Sequence, residues 1–279
     1  MQSILVPTDL SNSSVAAIKY ALYIAKELNY NIHIIHVIDV PDLERFVVEE
    51  EVKIMGHQKI LRKLGEFVQE KALTDSTDFK DINISFHVER GNATSEILKL
   101  SHSIQPILII MGACGNGASQ WDSFWLGGTT KRVVKRAKTP VLVIPEKAKF
   151  QPIHKIVFAS DFILEDLEII NSLLTFARQF EATIEVIHVK DSDGEVNEPV
   201  LKYLRSKFIP QIESGILSFK LIEGDNVSES LNEYVANNGI SMLAVLDERD
   251  SFITQLFNLS ISYKIASHAS IPTLVFQEN

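Results

Sequence analysis

The sequence predicts an α/β protein built from two tandem domains, each a doubly wound parallel sheet covered by helices. Three observations predict it: a repeat of domain length, an alternation of strand-like and helix-like segments, and strands that are apolar at every position. Shifted by 152 residues, ILVPTDLS (4–11) lies on IVFASDFI (156–163), and IHIIHVID (32–39) lies on IEVIHVKD (184–191). At a shift of 133, ISFHVERGNATSEIL (84–98) matches LSFKLIEGDNVSESL (217–231), and TPVLVI (139–144) matches IPTLVF (271–276). A repeat this long is a duplicated domain and not a solenoid of short units. The polar stretch PEKAKFQP, residues 145–152, has a proline at each end and reads as the join, giving domains at 1–147 and 152–279.

In the first half, strands are expected at 3–8, 31–37, 82–88, 107–111 and 141–144. Helices are expected at 13–28, within 43–72, at 93–103 and at 129–137. Ile18, Leu22 and Ala25, spaced four and three apart, form one helical stripe, and Ile170, Leu174 and Ala177 repeat it in the second half. Asn29 and Gly91 mark turns, and Pro140 ends the last helix. Runs such as ILIIM are apolar throughout, as strands buried on both faces are. Alternating β and α elements of this kind give a parallel sheet with right-handed crossovers. Ligands in such sheets bind beyond the carboxyl ends of the strands, which directs attention to PTDLS, HVIDV and the loop after the fourth strand.

The bulk composition narrows the partners. With 36 acidic and 27 basic side chains the formal net charge is −9, unlike a nucleic-acid binder or a protein of anionic membrane surfaces. No apolar run has the length of a bilayer-spanning helix. The start, MQSILVPTD, enters a strand pattern with no basic leader, and the single cysteine, Cys114, suits a reducing compartment. A cytoplasmic location is the expectation.

Residues 111–130 read MGACGNGASQWDSFWLGGTT. Glycine lets backbone N–H groups approach a phosphate, and a helix N-terminus adds unsatisfied N–H groups and a positive dipole end. Gly112, Gly115 and Gly117 follow the strand, and Gly127 and Gly128 precede a helix opening with Thr129, Thr130, Lys131 and Arg132. Read bare, these glycines either cradle phosphate or only make turns.

The ordered set of motifs, ILVPTDLS, HV at 36–37, MGxxG after the fourth strand, a glycine pair before the last helix and a closing PVLVIP, resembles the universal stress protein family. The resemblance covers nearly the whole chain and implies a tandem member, with two Rossmann-like domains of the adenine nucleotide alpha hydrolase type forming a pseudo-dimer. It implies a stress-response regulatory protein that binds ATP or AMP, with magnesium accompanying ATP. Nucleotide-binding members carry G-x2-G-x9-G followed by Ser or Thr. Carried over, Gly112 and Gly115 would approach ribose and phosphates, and Gly127 would be the third glycine. The spacing here is eleven residues, not nine, and Gly128 stands where the hydroxyl belongs, so Thr129 would have to replace it. Asp9, with Pro7 beside it, and Val37 would contact adenine and its ribose. Asp9 read bare is equally a turn or helix-capping carboxylate.

The second half reads LDERD (246–250) where the first reads MGACG, which sets Asp247 and Asp250 at the two glycine positions and Leu259 at that of Gly127. Carboxylates there would repel phosphate, so nucleotide is expected in the first half only, although Asp161 and Val189 survive. WDSFW (121–125) reads as aromatic packing or as a lid or partner site. Cys114 reads as a small filler or as a thiol made acidic by loop amides. His33 and His36 point to opposite faces of a strand, so they are no metal pair, and His36 and His188 read as packing or strand-end hydrogen-bonding groups. The acidic run Glu49–Glu51 reads as a solvated helix face. Three functions compete: the nucleotide-binding regulator, with at most slow hydrolysis; an interaction module without nucleotide, with an unknown protein partner and an optional homodimer; and an adenylating enzyme. The last lacks the SGGxDS or HxGH such enzymes carry near the first strand.

Overall fold

Strand β1 (Ser3–Thr8) is buried at every position and forms the centre of the first sheet. The computed structural model describes residues 2–38, 50–72, 79, 81–114, 126–146, 148, 150–190, 196–247 and 271–277. The chain divides into two units, Met1–Phe150 and Gln151–Asn279.

In the first unit β1 is followed by α1 (Asn12–Leu28), β2 (Asn31–Ile38), α2 (Glu50–Ala72), β3 (Ile84–Arg90), α3 (Ala93–Ile104), β4 (Leu108–Gly112), α4 (Gly128–Arg136) and β5 (Val141–Ile144). All pairings are parallel, in the order β3-β2-β1-β4-β5. The winding reverses after β3, so α1 and α2 pack together on one side while α3 and α4 pack together on the other. β1 and β5 fall where the sequence predicts them. β3 begins two residues later than expected, because Ile82 is spent closing a turn onto the carbonyl of Phe79 at 3.2 Å and Ile84 is the first residue in register with Ile32.

Helix α1 shows how local sequence sets these bounds. Ser11 caps its start by accepting from the Ser14 N–H at 3.2 Å. Asn29 ends it in the left-handed region at φ 53°, a conformation short polar side chains tolerate, and the Tyr30 N–H returns to the Ala25 carbonyl at 2.9 Å. Between the caps, Ile18, Leu22 and Ala25 are fully buried on the sheet as the spacing predicts. Each such Ile or Leu contributes about 1.5–3 kcal/mol.

The second unit has β6 (Lys155–Ala159), α5 (Asp166–Gln179), β7 (Thr183–Lys190), α6 (Glu198–Lys207), α7 (Ile209–Glu213), β8 (Leu217–Glu223), α8 (Val227–Asn237), β9 (Met242–Asp247) and β10 (Thr273–Gln277). Its strand order, β8-β7-β6-β9-β10, repeats that of the first unit. Two short helices, α6 and α7, stand where the first unit has the 23-residue α2. On α5 the stripe differs from expectation: Leu173, not Leu174, joins Ile170 and Ala177 in full burial.

The turns that leave β1 and β6 share one geometry with different chemistry. After β1 the Thr8 hydroxyl accepts from Leu10 N–H at 3.1 Å and donates to Ser14 Oγ at 2.8 Å, with Leu10 at φ 64°. After β6 the Ser160 hydroxyl accepts from Phe162 N–H at 2.9 Å and donates to Asp166 Oδ2 at 2.5 Å, with Phe162 at φ 53°. A carboxylate thus replaces the hydroxyl of Ser14, and Asp166 is only 1% exposed. Burial pushes its pKa up to about 6, against the opposing pull of the bonds from Ser160 and from Ile163 N–H, with Asp161 and Glu165 adding to the rise. The folded chain therefore holds this proton between about pH 4 and 6 when the unfolded chain has lost it. Stability falls as pH rises through that window and levels off above it, by up to about 3 kcal/mol. Asp166→Asn keeps an oxygen to accept both bonds and removes the titration. Denaturation midpoints measured from pH 4 to 7 are expected to fall less steeply in the variant than in the parent; parallel curves would contradict this assignment.

Candidate functional site

The first unit encloses a cavity of about 540 Å³ beyond the carboxyl ends of β1, β2 and β4. Strand order reverses between β1 and β4, so the crevice lies where a doubly wound sheet places its ligand. Pro7, Thr8 and Asp9 come from the end of β1 and the turn after it, Ile35 and Val37 from β2, and Met111 and Gly112 from β4. Ala93 and Ile97 of α3 and the first turn of α4 complete the wall.

Seven of the eight residues singled out from the sequence line this cavity: Pro7, Asp9, Val37, Gly112, Gly127, Gly128 and Thr129. The eighth, Gly115, lies outside the described residues, as do Gly117, WDSFW, Asp250 and Leu259 and the side chains of the Glu49–Glu51 run. Asp9 takes the turn role that its bare reading allowed. Its Oδ1 accepts from Ser11 N–H at 3.1 Å, while Ser11 is the helix cap, and the same carboxylate borders the cavity. Cys114 is buried and lines the cavity, and its N–H donates to Ser13 Oγ at 3.4 Å.

The glycines have distinct reasons. At Gly112 a Cβ would stand 2.8 Å from the carbonyl carbon of Ser13, so the end of β4 touches the backbone of α1 directly. Gly127 is the N-cap of α4, at φ −57° and ψ 145°, and supplies no side-chain acceptor. Its N–H donates to Ala113 O at 2.6 Å and its carbonyl accepts from Lys131 N–H at 2.9 Å, which fixes the helix start against β4. Thr130 is buried and donates to the Gly112 carbonyl at 2.9 Å. Thr129 is half-buried and lines the cavity. The first-turn N–H groups of α4 are thus left without a side-chain cap and border the cavity.

Sequence reasoning did not place Arg132, Ile97, Ala93 or Met111 in the site. Arg132 sits one helical turn after Gly128, and its Nη1 would be 3.2 Å from a Cβ there. The i,i+4 spacing from Gly128 was the available signal, since helical side chains lean toward the N-terminus. His36 makes the strand-end bond expected of it, Nδ1 to Thr8 O at 2.9 Å, and His188 repeats it on Ser160 O at 2.9 Å. His33 pairs across strands with His87 at 2.9 Å, and burial holds both imidazoles below their ordinary pKa. Among the described residues no three His, Cys, Asp or Glu side chains converge as a metal site, and no helix is long and apolar enough to cross a membrane.

The strand registers correct one equivalence between the halves. Ile4 pairs with Leu108 and its repeat partner Ile156 pairs with Met242, so Gly112 corresponds to Leu246 and not to Asp247. The Ile109 N–H bonds Pro140 O and the Leu243 N–H bonds Pro272 O, which fixes the same one-residue correction. Where the first unit brings Gly112 against Ser13, the second has Leu246 and, at the place of Ser13, Glu165.

A doubly wound α/β unit with a crevice and an uncapped helix start at its switch point belongs to the class of Rossmann-like parallel-sheet proteins. The chain belongs to the universal stress protein family, whose family model matches residues 1–145. Universal stress protein MJ0531 of Methanocaldococcus jannaschii is 28% identical over 150 residues, covering 53% of this chain and 84% of that protein. Universal stress protein Slr1230 of Synechocystis is 22% identical over 292 residues, spanning 99% of this chain and 100% of that protein. The crystal structure of a universal stress protein from Archaeoglobus fulgidus aligns over 99% of this chain and 96% of its own, at 17% identity and a TM-score of 0.69, which establishes a shared fold.

The contact at Gly112 predicts a stability effect that needs no ligand. Gly112→Ala forces a methyl group onto the Ser13 backbone and is expected to cost about 1–3 kcal/mol. The check is thermal unfolding of the ligand-free chain; an unchanged midpoint would mean that Ser13 does not require this glycine.

Proposed function

We propose that the first unit binds an adenine nucleotide, ATP or AMP, and that the chain acts as a stress-response regulator whose nucleotide state is set in this unit alone. One observation carries the reading: a single cavity collects an apolar floor and an uncapped helix N-terminus at opposite ends of the same predicted residue set. Pro7, Ile35, Val37, Ile97 and Met111 offer a surface on which a purine can be buried, with Asp9 at its edge to accept from a ribose hydroxyl. Gly128 and Thr129, which follow the N-cap Gly127, offer backbone N–H groups and a hydroxyl to phosphate oxygens. Gly115 belongs to the same set by its place in the motif, and magnesium would accompany ATP through the phosphates.

The chemistry favours binding over turnover. Asp9 is the one carboxylate among the described lining residues, and its Oδ1 already accepts a backbone bond. Hydrolysis would therefore be slow. The second unit supports a one-site reading. A leucine stands at the position of Gly112 and a glutamate at that of Ser13, so the glycine that allows the close backbone approach in the first unit is not repeated.

An interaction module without nucleotide is the second reading. It is favoured by Gly112, whose missing side chain Ser13 alone explains.

Gly127→Asp separates the two. Aspartate is a preferred N-cap and the backbone there is open to any residue, so the fold should hold, with a stability gain of a few tenths of a kcal/mol. The same carboxylate would occupy the proposed phosphate position. Calorimetric titration with ATP is expected to show at least a tenfold loss of affinity, ~1.4 kcal/mol. Unchanged affinity in the folded variant would remove phosphate from the start of α4.

A further inference from the structure

We infer that Arg132 makes this cavity a reader of phosphate charge, selecting the polyphosphate form of its ligand over the monophosphate. The inference rests on the nucleotide reading for the base, but not for the anion. Arg132 belongs to α4 and its guanidinium folds back over the first turn, with Nη1 3.2 Å from where a Gly128 Cβ would be. A Cβ at 128 would press on the guanidinium, which would have to shift by a few tenths of an ångström, so glycine leaves it room to lie close over the first turn. Nε donates to Thr94 Oγ1 at 3.0 Å, and Thr94 is 1% exposed on α3, so the head group is tied to a fixed point of the neighbouring helix. Nη2 reaches Thr129 Oγ1 at 3.5 Å, the limit of a hydrogen bond.

Both partners are neutral hydroxyls, and among the described residues no carboxylate pairs with Arg132. The first turn of α4 contains no acidic residue either. A cation is thus held at the positive end of a helix, where the macrodipole opposes it, and both face one cavity. Structural arginines settle beside carboxylates or at helix C-termini. Arg132 is exposed and borders the cavity, so an anion entering there would supply the charge partner that solvent otherwise provides. Guanidinium also offers a planar fork of donors suited to phosphate oxygens. Its attraction grows with ligand charge, so a triphosphate gains more from it than a monophosphate does.

The test titrates the full chain and its Arg132→Gln and Arg132→Lys variants with ATP, AMP and inorganic triphosphate, at fixed ionic strength and without divalent cations. Gln can still donate to Thr94, so the tie between α3 and α4 is kept. The expected result is a loss of tenfold or more for ATP and for inorganic triphosphate in Arg132→Gln, a change under about threefold for AMP, and partial recovery in Arg132→Lys. Inorganic triphosphate binding that depends on Arg132, without ATP binding, would uphold the charge reader and overturn the nucleotide reading. ATP binding that is indifferent to Arg132→Gln would do the reverse. Equal losses for ATP and AMP, or no binding of any of the three probes, would overturn the inference.

Discussion

The first unit depends on the approach of two backbones, where β4 ends against the start of α1. Gly112 allows it, because any Cβ would meet Ser13. That contact seats the start of α1 beside β4, and Thr130 reaches the Gly112 carbonyl, which draws α4 down onto the same strand. The Gly127 N–H on Ala113 O adds a second tie. Three elements far apart in sequence are thereby fixed around one point, and the cavity is the space left above it.

The second unit keeps the frame and changes the side chains at the points that border the crevice of the first. Strand order, the hydroxyl turn after the first strand and the histidine bond at the end of the second are all repeated. What changes is the chemistry at the same points: Leu246 for Gly112, Glu165 for Ser13, Asp166 for Ser14. Buried hydroxyls in one unit become a buried carboxylate in the other, and the cost of its ionisation is a structural burden that a binding-competent site would not need.

Much of this was legible in the sequence. Fully apolar runs set the strands, and Asn29 and Ser11 set the ends of α1, since those signals are local and each has one cheap structural solution. The loops that border the crevice were legible because strand ends in a doubly wound sheet converge by topology, and the family resemblance supplied the individual residues. Arg132 was missed because its place depends on a bend back over a glycine four residues earlier, and in a basic helix that i,i+4 spacing does not single it out. The counterpart of Gly112 was misread by one residue: aligning letters favoured Asp247, whereas the hydrogen-bond register of β6 and β9 requires Leu246. Leu173 replaced Leu174 in the core for the same kind of reason, as two adjacent leucines satisfy a helical pattern equally and packing chooses between them.

The central claim is that one unit of two carries a nucleotide. The most direct measurement is to denature freshly purified full-length protein and quantify the released small molecules by anion-exchange chromatography, followed by calorimetric titration of the emptied, refolded chain with ATP. The account predicts an adenine nucleotide at a stoichiometry approaching and not exceeding one per chain. Two per chain would show that the second unit binds after all, and an empty protein that takes up no added ATP would show that the cavity serves something other than a nucleotide.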